Sequence, residues 1–249
     1  MLSDNIVMAS KFRYVLINSA DRVDGTSSSF TCMFNPSIQA PRSIRLLNLS
    51  IPNTVYNVTT SNDTIYWRVA GVDYMAIIPS GSYNSTTILS ALSNAMNIIY
   101  PAGLYIATYD TTTFKISISS VSNFQFMFGT NTVASLGPLI GFTVDTVNLS
   151  VQTGNNVIQL SSPLFYYINM DGFPFNVIST NKFDQANFIV SSTVNSGSLQ
   201  TFNLLSNFVE CGRYYDQNIS ELHVSLSTSG NQSIDLNGSE WCFLLEFSY

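Results

Sequence analysis

The chain has 249 residues, of which 45% are hydrophobic and only 10% are charged, with a formal net charge of −6. This length suits one large β domain or two small ones, and the acidic balance argues against a protein that wraps nucleic acid, because phosphate binding requires clustered Lys and Arg. The low content of charged residues favours a subunit whose surface is covered by neighbouring subunits, since solitary soluble proteins rely on interspersed charges to stay dispersed. An extracellular or phage-type β protein with solvated Ser, Thr and Asn faces accounts for the same composition.

The beginning of the chain carries a large share of the basic residues. Five of the nine lie at Lys11, Arg13, Arg22, Arg42 and Arg45. This clustering allows a local basic face, to which the sequence assigns no role. The opening residues MLSDNIVMASKF lack a charged start followed by an apolar stretch, and no run reaches the ~18 apolar residues of a membrane span. We therefore expect a protein that is soluble and intracellular at synthesis, without a membrane span.

Strand signals dominate from there on. Short apolar or alternating runs rich in Val, Ile, Phe, Tyr and Thr are separated by Gly, Asn, Asp, Ser and Pro. The predicted strands are Phe12–Asn18, Phe30–Phe34, Ser43–Ile51, Thr64–Val69, Tyr74–Ile78, Leu104–Tyr109, Phe114–Ser119, Phe124–Phe128, Leu164–Met170, Asn187–Ser191, Gln200–Leu204, Glu221–Ser227 and Glu240–Phe247. The pattern predicts an all-β protein.

One segment has helical spacing instead. Apolar residues recur from Ile88 to Ile99 after the polar group Asn84–Thr87. This predicts one α-helix over about residues 85–99, ending before Pro101, whose apolar stripe packs on a sheet. A partner-binding groove is the alternative use of that stripe.

Two turns and one irregular stretch complete the reading of the chain. Asp110 and the threonines after it predict a hairpin within residues 105–119, and Asn237-Gly238 predicts a second hairpin before the strand of Trp241. The stretch from Gly129 to Pro163 is the least regular, and we expect it to close an inserted subdomain.

Signatures of catalysis are missing from the sequence. The single histidine, His223, alternates with Glu221 and Ser225 along its strand, so a solvated or interface residue competes with a general base that lacks a nameable partner. No G-x-S-x-G elbow and no phosphate loop occurs, and the run Asp21–Gly25 has the wrong spacing for a calcium loop. The acidic residues are scattered in turn-like contexts, which accounts for them more simply than a glycosidase-like carboxylate pair. We predict no enzyme activity, no catalytic residues and no cofactor.

Cysteines and aromatic residues give weaker indications. Cys32, Cys211 and Cys242 have no C-x-x-C spacing, so we expect reduced core thiols rather than a disulfide framework or a metal site. Aromatic residues make up 13% of the chain. They fill cores and interfaces of β proteins, and exposed rings would alternatively build a carbohydrate-binding platform.

The order of landmarks along the chain is more specific than any one of them. These landmarks are SADR at 19–22, SSSFTCMF at 27–34, SIRLLNLSIPNTVYNV at 43–58, IPSGSYNSTTILSAL at 78–92, ATYDTTTFKISI at 107–118, SLGPLIGF at 135–142, LFYYINM at 164–170 and SELHVSLSTSGNQSIDLNGSEWCFLLEFSY at 220–249. The series resembles the penton, or vertex minor capsid, proteins of virophages, polinton-like viruses and related large double-stranded DNA viruses.

This resemblance implies both a fold and a function. The fold is a single jelly-roll β-sandwich capsid domain over residues 1–249, with an inserted β-rich segment at about 60–160 that carries the helix. The function is that of a structural protein forming homopentamers at icosahedral five-fold vertices of a virion assembled inside the host cell. Its partners would be its own copies, the major capsid protein and other minor capsid proteins, without specific nucleic acid. The alternative is a receptor- or glycan-binding β module of a viral spike or fibre head.

Overall fold

The computed structural model describes residues 12–160, 165–175, 177–178, 185–192, 198–203, 208–210, 218–229 and 232–249; side chains are described in these ranges except at 177–178, 203 and 208–210. The predictions for Lys11 and Cys211 lie outside the described residues.

Strands make up most of the regular structure. In chain order, they are β1 (Phe12–Asn18), β2 (Asp24–Thr26), β3 (Ser29–Ile38), β4 (Ser43–Pro52), β5 (Thr64–Val69), β6 (Val72–Ile77), β7 (Ile106–Asp110), β8 (Lys115–Phe126), β9 (Leu149–Thr153), β10 (Phe165–Met170), β11 (Val177–Ile178), β12 (Gln185–Ala186), β13 (Phe188–Ser191), β14 (Leu199–Asn203), β15 (Phe208–Glu210), β16 (Ile219–Thr228), β17 (Gln232–Ser233) and β18 (Cys242–Ser248). The helices are α1 (Thr87–Ile99) and α2 (Gly137–Ile140), with 3₁₀ turns at Ser19–Asp21 and Pro101–Gly103.

The chain divides into two compact units. The first combines Met1–Val55 with Pro163–Tyr249, and the second comprises Tyr56–Ser162. The second unit therefore lies, in sequence, between β4 and β10 of the first.

Two large antiparallel sheets and the two-stranded pair β11-β12 form the described part of the first unit. Sheet A has the order β1-β18-β4-β14, with β15 also paired to β4, and sheet B has the order β13-β10-β16-β3-β2, with β17 paired to β16. Neighbouring strands thus come from distant parts of the chain, and β1 pairs with β18 along its whole length. Two antiparallel sheets, here of five and six strands, that are connected in this Greek-key order form a jelly roll. The predicted all-β jelly-roll fold is confirmed.

Alternation along the strands builds the core of the first unit. In β18 the residues Phe243, Leu245 and Phe247 are buried, while their sequence neighbours are half-buried on the opposite face. The same period of two recurs in β16, where Leu222, Val224 and Leu226 are buried. A period of two places every second side chain on one face, so each sheet presents one continuous apolar face to the core.

The second unit is a smaller sheet covered by a helix. Its strands have the order β6-β5-β8-β7, with β9 also paired to β8. Ile88, Leu92 and Met96 of α1 are fully buried in a core that also contains Trp67 and Tyr105. This confirms the prediction that the apolar stripe of the helix packs on a sheet.

Several local predictions need correction. The ranges Phe114–Ser119 and Phe124–Phe128 were predicted as separate strands, but β8 runs through them as one strand of 12 residues. Its pairing with β9 shifts register between Ser119 and Phe124, so the polar residues of that stretch mark an irregularity rather than a turn. The expectation of one helix is also incomplete, because the segment LGPLIGF contains α2, which is too short to produce a helical period.

The turn at Asn237-Gly238 forms without the predicted hairpin. Both residues have positive φ, at 51° and 78°, and the Ser239 N–H donates to the Leu236 carbonyl at 3.0 Å. The chain then crosses from sheet B, where β17 pairs with β16, to sheet A, where β18 pairs with β1 and β4. The sequence predicted the turn correctly. The residues of a turn do not, however, determine whether the strands before and after it pair with each other.

Candidate assembly surface

The edge strand of sheet A presents a row of large apolar side chains outward. Phe12, Tyr14 and Leu16 of β1 are 50%, 60% and 65% exposed, whereas Ile17 is buried. The register places Leu16 opposite Leu244 of β18, which is half-buried on the same face. We call Phe12, Tyr14, Leu16 and Leu244 the outer apolar face.

The backbone of β1 forms one edge of sheet A. Among the described residues, β1 pairs only with β18. An exposed apolar edge strand is a template for pairing with another chain, and soluble monomers usually protect such edges with charge, proline or bulges. Arg13 is the one charged residue of β1, and its guanidinium donates to the Ser37 carbonyl at 3.3 Å. The strand therefore has little protection against association.

Two of the early basic residues form ion pairs. Arg45 Nη1 lies 3.6 Å from Glu246 Oε1, and the register places Glu246 opposite Tyr14, so this ion pair lies on the outer face of sheet A beside the apolar row. Arg22 Nη1 lies 2.7 Å from Glu240 Oε1 and also donates to the Ser19 carbonyl at 2.6 Å. Both ion pairs join residues of the same chain. Arg22 and Arg45 therefore have a structural role that does not depend on a basic face.

A hydrogen-bond network joins that second pair to the start of β18. The Ser19 hydroxyl donates to Glu240 Oε2 and accepts the Trp241 N–H at 2.9 Å, while the Ser19 N–H donates to the Trp241 carbonyl at 2.9 Å. The hydrogen bond from Ser19 and the contact with Arg22 hold the pKa of the Glu240 carboxyl below its ordinary value. The network fixes the chain at the end of β1 against the strand that pairs with it.

The outer face of sheet B is polar at its centre, although Met33 and Phe165 on the same face are 64% and 43% exposed. Ser29 of β3, Ser225 of β16 and Asn169 of β10 lie side by side in the register, and Thr31 lies opposite His223 in the next row. The two outer faces of the same sandwich therefore differ in chemistry. Burial of the apolar row of sheet A against another protein would remove apolar surface from water, whereas the polar centre of the face of sheet B is already compatible with solvent.

His223 belongs to that polar face. Its Nε2 lies 3.4 Å from the Ser29 hydroxyl and its Nδ1 lies 3.3 Å from the Thr31 hydroxyl. These partners fit the solvated or interface role considered from the sequence. Within the described ranges, no group of three or more His, Cys, Asp and Glu side chains gathers where a metal ion could bind. The absence of enzyme activity stays a prediction.

The cysteine expectation holds for one of the two described residues. Cys32 is free and buried, and burial raises the pKa of its thiol. Cys242 is free but only half-buried, because it lies on the outward side of β18. The sequence did not distinguish these two positions, since either face of a strand accepts a small apolar residue.

The second unit also exposes apolar side chains. Met75 and Ile77 of its edge strand β6 are 51% and 59% exposed, and Val133 is 78% exposed. On the same strand, Asp73 pairs with Arg68 through two hydrogen bonds. Exposed apolar residues are therefore not confined to sheet A.

Comparison with solved structures finds chains that are similar to this one. One of them is the penton protein of mavirus. The TM-score is 0.48 at 9% sequence identity, and the alignment covers 96% of this chain and 100% of the mavirus chain. No protein-family model matches the chain, and no curated protein matches it. In the part of the chain that the structure describes, no helix has the length and apolar character needed to cross a bilayer.

Proposed function

We propose that this chain is a structural capsid protein that assembles into homopentamers at the five-fold vertices of an icosahedral virion. The observation that carries the proposal is the outer apolar face of sheet A, which ends at the weakly protected edge of β1. The sparse charge of the whole chain and the order of its sequence landmarks support it.

The occupant that we assign to this face is a second copy of the same chain. A ring of five requires a heterologous contact, in which one surface of each subunit meets a different surface of the next and the rotation closes. An apolar face with a free strand edge supplies one side of such a contact, because it offers both apolar area and backbone hydrogen-bonding groups.

Further parts of the proposal concern partners and organisation. The remaining exposed surface would contact the major capsid protein around the vertex, together with other minor capsid proteins. We also propose that the second unit is a subdomain inserted into the capsid domain, which its position in sequence between β4 and β10 supports. In this account the chain has no catalytic role.

A pair of matched variants tests the assembly surface. Leu16 and Met33 are 65% and 64% exposed, but Leu16 lies on the outer apolar face and Met33 lies in sheet B. We expect Leu16→Glu to prevent assembly, because a buried unpaired carboxylate is strongly unfavourable, and Met33→Glu to assemble like the parent chain. Sedimentation velocity at several protein concentrations measures the species. Equal behaviour of the two variants would contradict the assignment of the surface.

A further inference from the structure

A groove opens beside the outer face of sheet B, where β10 ends. Its volume is about 310 Å³, at the lower end of the range for small-molecule sites. The lining residues are Asn169, Met170, Asp171, Gly172, Phe173, Phe175, Gln185 and Ser225. They come from β10, the loop after it, β12 and β16, so the groove exists only in the folded jelly roll.

The loop that forms one wall is held in place by a buried asparagine. Asn187 is fully buried; its amide oxygen accepts the Met170 N–H, and its amide nitrogen donates to the carbonyls of Phe173 and Pro174 at 3.2 and 2.8 Å. The Asp171 N–H also donates to the His223 carbonyl at 3.0 Å. A site fixed in this way loses less conformational freedom when a ligand binds.

Four of the lining residues have polar side chains. They are the amides of Asn169 and Gln185, the carboxylate of Asp171 and the hydroxyl of Ser225. The Asn169 amide oxygen is shielded from solvent and has no hydrogen-bond partner among the described residues. Turning that amide toward the groove, which it already lines, would allow a ligand hydroxyl to satisfy the oxygen.

An exposed aromatic ring completes the set. Phe175 is 53% exposed, whereas its neighbour Phe173 is buried. An exposed ring offers an apolar surface on which the C–H face of a sugar ring can stack, while planar amide and carboxylate groups pair with adjacent hydroxyls. An apolar ligand would leave these polar groups unpaired, and the one charged lining residue, Asp171, is acidic and disfavours an anion.

From this combination we infer that the groove binds an uncharged sugar residue, such as the terminal hexose of a glycan. The inference is independent of the assembly surface, because the groove lies on sheet B and the outer apolar face lies on sheet A. A vertex protein and an attachment protein can therefore be the same molecule.

Saturation-transfer NMR on the full chain tests the inference. The probes are glucose, galactose, mannose and N-acetylglucosamine, with sialic acid as the charged comparison, each at millimolar concentration. Saturation transfer to at least one neutral sugar, and none to sialic acid, is expected. Transfer to no neutral sugar, or to sialic acid alone, would overturn the inference.

Variants then locate the binding. Phe175→Ala should weaken the affinity for the bound sugar by roughly tenfold, the effect of losing one ring contact. Phe165→Ala is the matched control, because Phe165 is a 43% exposed phenylalanine of β10 outside the groove lining, and it should bind like the parent. Asp171→Asn keeps the shape of the side chain and should also weaken binding, which provides a second test should Phe175→Ala fail to fold. If the folded groove variants bound the sugar like the parent, or if the control lost as much affinity as they did, the sugar would bind outside this groove and the assignment would be wrong.

Discussion

Glu240 connects the beginning of the chain to its end. It accepts hydrogen bonds from Ser19 and Arg22, which lie more than two hundred positions away along the chain, and its carboxylate is partly exposed. Because the pKa of this carboxyl is lowered in the folded state, its contribution to stability is present above its ordinary pKa and is lost as pH falls through the lowered value.

Replacing Glu240 tests this contact. Glu240→Gln should lower the free energy of unfolding at neutral pH by about 1 kcal/mol, since a partly exposed ion pair with an added hydrogen bond has that order of effect. The difference between variant and parent should shrink as the pH falls below the ordinary glutamate range. Urea denaturation at pH 7 and in acid measures both, with Glu221→Gln on the exposed face of β16 as the control. A difference that grows in acid would contradict the assigned contact.

In the second unit, Tyr105 stabilises the core through a buried hydrogen bond. Its hydroxyl accepts the indole N–H of Trp67 at 3.0 Å, and both residues are buried. Tyr105→Phe should lower the stability of this unit by about 1–3 kcal/mol, because the indole N–H is then buried without a partner. Tyr66→Phe is the control, since that hydroxyl donates to the Val133 carbonyl in an exposed position. Urea denaturation, with hydrogen exchange to identify the unit that opens, measures the effect.

The same tyrosine predicts a loss of stability in alkali. Burial raises the pKa of Tyr105 from 10 to about 12, so the unfolded chain releases this proton first as the pH rises. Stability that depends on the neutral phenol is therefore complete below pH 10 and decreases between there and about 12. Tyr105→Phe should show a smaller decrease over that interval, and an equal decrease would contradict the burial of the hydroxyl.

At the scale of elements, α1 shows how a short polar sequence sets a boundary. The Asn84 side-chain oxygen accepts the N–H groups of Thr86 and Thr87, both at 2.9 Å, and the Asn84 N–H donates to the Thr87 hydroxyl at 2.9 Å. Asn84→Ala should reduce stability by about 1 kcal/mol, the usual effect of losing a cap. Asn94→Ala, at an exposed position inside the helix, should be neutral or slightly stabilising, because Ala is the better helix former. Hydrogen exchange within α1 measures both, and equal effects would contradict the capping role.

The sequence predicted elements better than their contacts. The bounds of β1 and β5 agree with the predicted ranges at both ends, since turn residues flank each run. The polar side of α1 was less informative: Ser93 accepts the Ala107 N–H at 2.9 Å, and Asn97 exchanges two hydrogen bonds with the backbone of Tyr105. These partners belong to the chain after the helix, and periodicity within a helix carries no information about them.

Candidate sites were predictable only in part. Sparse charge indicated a surface made for association, but the location of the outer apolar face depends on β1 pairing with β18, which no local pattern specifies. The groove on sheet B was not predicted, because Asn169, Gln185 and Ser225 meet only through the strand order. Its one sequence signal was the Phe-rich run near Phe175, which resembles a core segment.

At the scale of the whole molecule, the jelly roll is the subunit of the proposed five-membered ring. The apolar row at the β1 edge of sheet A allows a neighbouring copy to cover this edge, while the polar centre of the outer face of sheet B stays exposed. This arrangement accounts for a chain that is only 10% charged.

Electron microscopy of the purified full chain at high protein concentration tests this claim most directly. Class averages of a closed ring with five-fold symmetry are the predicted result, and Leu16→Glu should yield single subunits under the same conditions. Single subunits of the parent chain at every concentration, or a ring of different symmetry, would contradict the account.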